Sequence, residues 1–113
     1  MRKRYFNTAF AESMVPDGDV RFATLSSKEA SAWLQEAAFE NVANPDHANT
    51  LDALSRKTAV ELREGTGARV TLGKGDQVLV GGIRIPDLGR VTREYTDVEV
   101  ASAIFRFRLV IIL

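Results

Sequence analysis

The chain has 113 residues, no cysteine and one histidine, and its 15 basic and 15 acidic side chains balance to zero net charge. The missing cysteines exclude disulfides and cysteine nucleophiles, the lone histidine argues against a histidine-rich zinc site, and the neutral balance argues against a non-specific polyanion binder. A single domain over residues 1–113, without a signal peptide or a bilayer-spanning segment, predicts a soluble, cytoplasmic protein that makes no membrane contact.

The first part of the chain is predicted to form two strands. Aromatic side chains favour a strand within residues 3–10, and alternating apolar residues favour another over residues 19–25. The sequence Pro16-Asp17-Gly18 between them is a strong turn signal. A hairpin of these two strands is therefore one interpretation.

An amphipathic helix follows the second strand. Ser26, with Glu29 three residues later, forms a capping box that marks a helix N-terminus. We expect Trp33 to pack in the core, because helical spacing accounts for its position. The predicted apolar face consists of Ala30, Trp33, Leu34 and Ala37.

A second helix is predicted over about residues 45–57, with Asn44 as its cap and Pro45 in its first turn. This would place His47 beside backbone N–H groups that lack a helical acceptor and can bind a phosphate. An imidazole there is suited to transfer a proton near neutral pH. The alternative is that His47 is an ordinary residue of a helix start. The core-facing positions of this helix are Leu51 and Leu54.

The middle of the chain has weaker patterns. Residues 58–64 fit either a continuation of the second helix or a short strand, and residues 69–72 are strand-like. Further on, Thr96 and Glu99 form a second capping box, which predicts a short helix.

Two more strands are predicted in the C-terminal half. Residues 77–85 are too apolar for a strand with one solvated face, so we expect this strand inside a sheet. The pair Gly81-Gly82 within it predicts a bulge or a close backbone approach. The order of all elements predicts an α+β fold, a single small domain with helices packed on a mixed sheet. In the last strand, residues 103–113, one face carries Phe105, Phe107, Leu109 and Ile111, and the other carries Arg106 and Arg108.

Arg84 ends the predicted interior strand, and Asp87 follows in a turn. A strand end holds a side chain firmly, and an arginine there can bind a phosphate through two parallel N–H groups. The alternative interpretation is a local ion pair between Arg84 and Asp87.

Several motifs occur in one order along the chain. They are KRYFNTAFAES at 3–13, HANT at 47–50, Arg69-Val70, Asp76 and RIPDLGRV at 84–91. In this order and spacing the chain resembles the type III anti-CRISPR ring nucleases, a family of small viral proteins with relatives in bacterial defence loci. Three positions depart from the family pattern: Asp46 replaces a glycine, Asp87 a glutamate, and Ala11 a serine.

The resemblance implies a nuclease that needs no metal or cofactor and opens cyclic tetra-adenylate, the second messenger of type III CRISPR systems. It implies a homodimer with the site at the subunit interface. His47 would be the general acid, Arg84 would neutralise charge at the scissile phosphate, and Asp87 would orient one of these two. The substrate-binding residues implied are Asn7, Thr8, Ala11, Ser13, Asp46 and Arg69.

Three other functions remain open from the sequence. The first is a sponge that binds a cyclic oligonucleotide without cleaving it. The second is a small viral nucleic-acid-binding protein using residues 2–4, Arg106 and Arg108, although the zero net charge argues against duplex binding. The third is a structural or interaction module.

Overall fold

The computed structural model describes residues 2–15 and 17–113. The four longer predicted strands and both capping-box helices are confirmed, and the predicted turn at 16–18 includes Pro16, which lies outside the described residues. The strands are β1 (Arg4–Asn7), β2 (Val20–Leu25), β3 (Glu40–Asn41), β4 (Gln77–Arg84) and β5 (Ile104–Ile112). The helices are α1 (Ser27–Glu36), α2 (Ala48–Thr58) and α3 (Asp97–Ser102), and Glu12–Met14 form a 3₁₀ turn.

The strands form one mixed sheet in the order β2-β5-β4-β1-β3. β1 is parallel to β3 and β4, whereas β5 is antiparallel to β4 and β2. The α+β fold with a mixed sheet and the interior position of β4 are therefore confirmed. The hairpin interpretation is wrong: β2 pairs with β5 in six register positions, because both edges of β1 are taken by β3 and β4.

α1 and α2 cover one face of the sheet and bury most of the core there. Trp33 is buried as predicted, and Leu51 and Leu54 of α2 are fully buried. Gly81 lets α2 approach β4, since a Cβ at that residue would lie 3.1 Å from Leu54 Cδ1. The register across Gly81 is continuous, so the glycine pair marks a close approach and not a bulge. The other buried members of this core include Phe6, Ala30, Leu34, Leu62, Leu79 and Phe107.

The opposite face of the sheet is covered over only part of its area. Residues 10–15 and 70–72 pack against Tyr5, Val78 and Val110 there. The alternation predicted for the last strand is confirmed near its start, where Phe107 is buried and Arg106 and Arg108 are exposed. Further along β5, the residues on the same face as these two arginines are apolar, and the loop segments named above bury them.

Helix α2 begins at Ala48, three residues later than predicted. Residues 44–47 instead form a turn, in which the His47 N–H donates to the Asn44 carbonyl at 3.0 Å. The Asn44 side chain accepts from the Asp46 N–H at 2.9 Å, an Asx turn. An asparagine before proline suits this turn as well as it suits a helix cap, and the turn makes His47 the residue that precedes the helix.

Both interpretations of residues 58–64 are wrong, and so is the strand at 69–72. The helix ends at Thr58, and Ala59 has a left-handed backbone with φ 59°. Side chains satisfy the following backbone: Ser55 Oγ accepts from Leu62 N–H at 2.9 Å, and Asn41 Nδ2 donates to the Leu62 carbonyl at 2.8 Å. These hydrogen bonds satisfy the backbone of the segment, which therefore follows an irregular path without pairing to a strand.

Candidate active site

The carboxyl ends of three parallel strands meet at one edge of the sheet. Thr8 follows β1, residues 44–47 follow β3, and residues 81–83 lie near the end of β4. A cleft of about 380 Å³ opens at this edge on the side of the helices. Ligands commonly bind at such edges, because the loops there leave the sheet in different directions. The lining consists of Thr8, residues 46–50, residues 81–83, residues 90–92 and Tyr95.

His47 is half-buried in this cleft, and its ring is fixed by Thr8. Nδ1 of His47 lies 3.1 Å from Oγ1 of Thr8, and the Thr8 N–H in turn donates to Asn7 Oδ1 at 2.8 Å. A hydroxyl can donate to or accept from an imidazole nitrogen, so this hydrogen bond can form with either tautomer of His47. Because Thr8 occupies Nδ1, Nε2 is the nitrogen that can act on a ligand. Thr8 and His47 are 39 positions apart in the sequence, and they meet because the strands that precede them, β1 and β3, are parallel neighbours.

The start of α2 adds hydrogen-bond donors to the same cleft. The N–H groups of Ala48 and Asn49 belong to the first turn and have no earlier helical carbonyl to donate to. The Thr50 N–H is taken by the side chain of Asn49 at 2.8 Å. The positive end of this 11-residue helix therefore lies next to His47, as expected for an anion site.

A loop after β4 forms the roof of the cleft, and α2 holds it in place. Asn49 Nδ2 donates to the carbonyls of Val91 at 2.7 Å and Arg93 at 3.3 Å. This loop brings the exposed guanidinium of Arg90 to the cleft. Arg90 lies within the 84–91 motif but was not among the predicted site residues.

An ion pair stabilises the far end of the roof loop. The Arg93 guanidinium holds Glu99 Oε1 at 2.7 Å and Oε2 at 2.9 Å, and the Thr96 N–H donates to Glu99 Oε1 at 2.8 Å. The Arg93 hydrogen bonds, followed by that from Thr96, lower the pKa of Glu99 to about 2. This carboxylate therefore keeps its charge in all but strongly acidic solution, and α3 and the roof loop stay joined.

The predicted site residues are divided between several places. The His47 cleft contains Thr8 and Asp46. Asn7, Ser13 and Arg69 line a second cleft of about 650 Å³ that includes Asn44 and lies on the other side of β1. Ala11 is exposed at the start of the 3₁₀ turn.

Arg84 lies outside the His47 cleft. Strand residues alternate between faces, and a Cβ at Gly81 would meet α2 whereas one at Gly82 would meet nothing within 4 Å. Arg84 therefore lies on the same face of the sheet as Gly82, the face away from α2. Asp87 is exposed in the following turn with a left-handed φ of 62°. Among the described residues Arg84 and Asp87 form no ion pair, so the alternative interpretation of a local pair is wrong.

Within residues 2–15 and 17–113, no group of three or more histidine or acidic side chains is placed to hold a metal ion. No helix in these ranges combines the length and apolar composition that a membrane span requires.

The architecture matches that of a solved viral protein. B116 of Sulfolobus turreted icosahedral virus superimposes with a TM-score of 0.69 at 15% sequence identity, over 96% of this chain and 98% of that chain. Neither the protein-family models nor the curated protein sequences compared with the chain match it. The likeness shows that this α+β fold is shared with a small viral protein.

Proposed function

We propose that the chain is a metal-independent ring nuclease of viral origin that opens cyclic tetra-adenylate in the host cytoplasm and so ends type III CRISPR signalling. One observation carries the proposal: His47, fixed by Thr8 and set beside the start of α2, lies in a polar cleft. The order of the sequence motifs and the fold shared with a viral protein also support it.

RNA supplies its own nucleophile for this reaction. The ribose 2′-OH loses its proton to water and attacks the adjacent phosphorus. The bond from phosphorus to the 5′-oxygen breaks, and a 2′,3′-cyclic phosphate remains. The chain must then hold the in-line geometry, stabilise charge on the phosphate and protonate the departing 5′-oxygen. His47 Nε2 is the proton donor in this proposal, and the N–H groups of Ala48 and Asn49 with Arg90 stabilise the phosphate.

Arg84 and Asp87 enter this mechanism through a second copy of the chain. Within one chain Arg84 lies on the face opposite to α2, so it does not reach the phosphate held next to His47. A homodimer around a two-fold axis would present Arg84 of one copy toward the cleft of the other, with Asp87 orienting it. A ring with repeated phosphates matches such a repeated site.

A non-catalytic sponge is the second candidate, and a specific observation favours it. His47 and Arg84 are not assembled in one cleft of a single chain, and Asp46 adds a negative charge next to His47. A protein with this arrangement could bind the ring without cleaving it.

Incubation with cyclic tetra-adenylate in EDTA separates the two candidates. For the nuclease, chromatography should show linear di-adenylate ending in a 2′,3′-cyclic phosphate, and the product should be lost in His47→Ala. An intact ring that co-elutes with the protein would establish the sponge. An intact ring without binding, also for tri- and hexa-adenylate rings, would reject both.

A further inference from the structure

The uncovered part of the sheet contains a cluster of arginines. We define the open face as the exposed surface formed by residues 80–84 of β4 and 104–108 of β5 on the side away from α2. In the register of these strands Gly82 lies opposite Arg106, and Val80 lies opposite Arg108. Arg84 lies opposite Ile104, which is 45% exposed. Three guanidinium groups are thus fixed on two neighbouring strands.

A depression lies between two of these arginines. It measures about 200 Å³ and is lined by residues 82–84, Ile104 and Arg106. Gly82 leaves its floor open, because a Cβ there would meet nothing within 4 Å. The depression is thus placed to receive a group between the guanidinium groups of Arg84 and Arg106.

The charge of this face is not balanced locally. Arg84, Arg106 and Arg108 take part in no ion pair among the described residues. The five strands together contain five arginines but a single acidic residue, Glu40, although the whole chain has zero net charge. The sheet therefore concentrates positive charge that other parts of the chain offset.

Arg4 provides a contrast to these three residues. Its guanidinium lies 3.8 Å from the ring centre of Trp33 and donates to the carbonyls of Trp33 and Ala37. It also pairs with Glu36 at 3.2 Å. Arg4 is thus used to join β1 to α1, whereas the arginines of the open face keep most of their donors for a ligand.

We propose that the open face binds the phosphodiester backbone of a single-stranded oligonucleotide. One phosphate lies over Gly82 between Arg84 and Arg106, because two planar guanidinium groups can hold its oxygens through paired N–H bonds. Arg108, stacked 4.6 Å over the ring of Phe22, holds the next phosphate. Ile104, next to these arginines, offers exposed apolar surface to an unpaired base.

This inference rests on the proposed function for its ligand class and deepens it. It adds Arg106 and Arg108 to the surface that holds an oligoadenylate. In the dimer proposed above, the open face of one copy would carry the ligand toward the His47 cleft of the other.

The test measures fluorescence anisotropy of a 5′-fluorescein linear hexa-adenylate over a range of salt concentrations. Arg106→Gln should weaken binding about 10-fold or more, which is the effect of losing a charge-assisted hydrogen-bond pair. The slope of log affinity against log salt should fall by about 0.7. Arg106→Lys should restore that slope but only part of the affinity, since lysine keeps the charge and lacks the planar fork.

Arg21→Gln is the matched control. Arg21 is an exposed arginine of β2. Its side chain lies on the face of the sheet that α1 and α2 cover, because strand residues alternate between faces and its neighbour Val20 packs in the apolar cluster on the opposite face. This variant removes the same charge and should change neither the affinity nor the slope. Equal losses in Arg21→Gln and Arg106→Gln would overturn the proposal, and so would unchanged binding in Arg106→Gln or no binding by the wild type at low salt.

Oligomeric mass and ring opening are measured on the same proteins. A changed mass for Arg106→Gln with unchanged anisotropy would overturn the proposal, because a second copy would then cover the open face. Ring opening by Arg106→Gln at the wild-type rate and affinity would reject this inference and leave the nuclease intact. Binding that depends on Arg106 without any ring opening would support the inference and reject the nuclease.

Discussion

The imidazole Nδ1 of His47 lies 3.1 Å from Oγ1 of Thr8. This contact joins the loop after β1 to the residue that precedes α2, and it leaves Nε2 as the nitrogen for chemistry.

Thr8→Val should lower kcat for ring opening about 5-fold and leave KM nearly unchanged. The variant keeps the shape of the side chain but removes one hydrogen bond of about 1 kcal/mol, which frees the His47 ring to rotate. Thr8→Ser restores the hydroxyl and should recover most of the rate. The measurement is the steady-state kcat and KM of the wild type, Thr8→Val and Thr8→Ser. A Thr8→Val protein with wild-type kcat would show that Thr8 does not position His47.

Gly81→Ala should destabilise the chain by about 1–3 kcal/mol, the usual effect of overpacking a core. Its new methyl group would lie 3.1 Å from Leu54 Cδ1 and 3.3 Å from Phe6 Cε1, so these two side chains would have to move by a few tenths of an ångström. Gly82→Ala is the matched control, because its methyl group meets nothing within 4 Å. Urea unfolding of both variants is the measurement, and equal changes in the free energy of unfolding would contradict the packing of α2 on Gly81.

Glu99 should make the stability of the chain depend on pH in the acid range. Its pKa is lowered from 4.5 to about 2, so its stabilising effect is complete above about pH 4.5 and is lost as the pH falls through about 2. Glu99→Gln should therefore have a lower Tm than the wild type at pH 6, and the difference should shrink between pH 4.5 and pH 2. A difference in Tm that stays constant over this window would contradict the pairing of Glu99 with Arg93.

Asp87→Ala should destabilise the chain by about 1 kcal/mol, because its backbone is left-handed, with φ 62°. Asp87→Gly and Asp87→Asn should have little effect, since glycine and asparagine adopt this conformation more readily. The free energy of unfolding from urea titrations separates the three variants. Equal destabilisation by all of them would instead indicate that the carboxylate makes a stabilising contact.

Much of the fold follows from periodic patterns in the sequence. The burial of Trp33 and the interior position of β4 were predictable, because spacing and apolar runs report burial directly. The start of α2 was not, since Asn44 before Pro45 serves an Asx turn and a helix cap equally well. Residues 58–64 were also unpredictable, because Ser55 and Asn41 bind their backbone from other parts of the chain.

The candidate site was predictable only in part. The resemblance brought His47 and Thr8 into one prediction, but their contact depends on β1 and β3 lying parallel, and β3 is too short for any pattern to reveal. The face occupied by Arg84 was hidden for a similar reason. It depends on Gly81 meeting α2, and a pair of adjacent glycines does not indicate which one faces the helices.

In the proposed mechanism, His47 protonates the departing 5′-oxygen of a cyclic oligoadenylate. The most direct measurement is the single-turnover rate of ring opening in EDTA for the wild type and His47→Ala, with normal cyclic tetra-adenylate and with a ring whose bridging 5′-oxygens are replaced by sulfur. A thiolate leaves without a proton, so His47→Ala should lose about 10²- to 10⁴-fold in rate on the normal ring and approach the wild-type rate on the sulfur ring. An equal loss on both rings, or no loss on the normal ring, would contradict this mechanism.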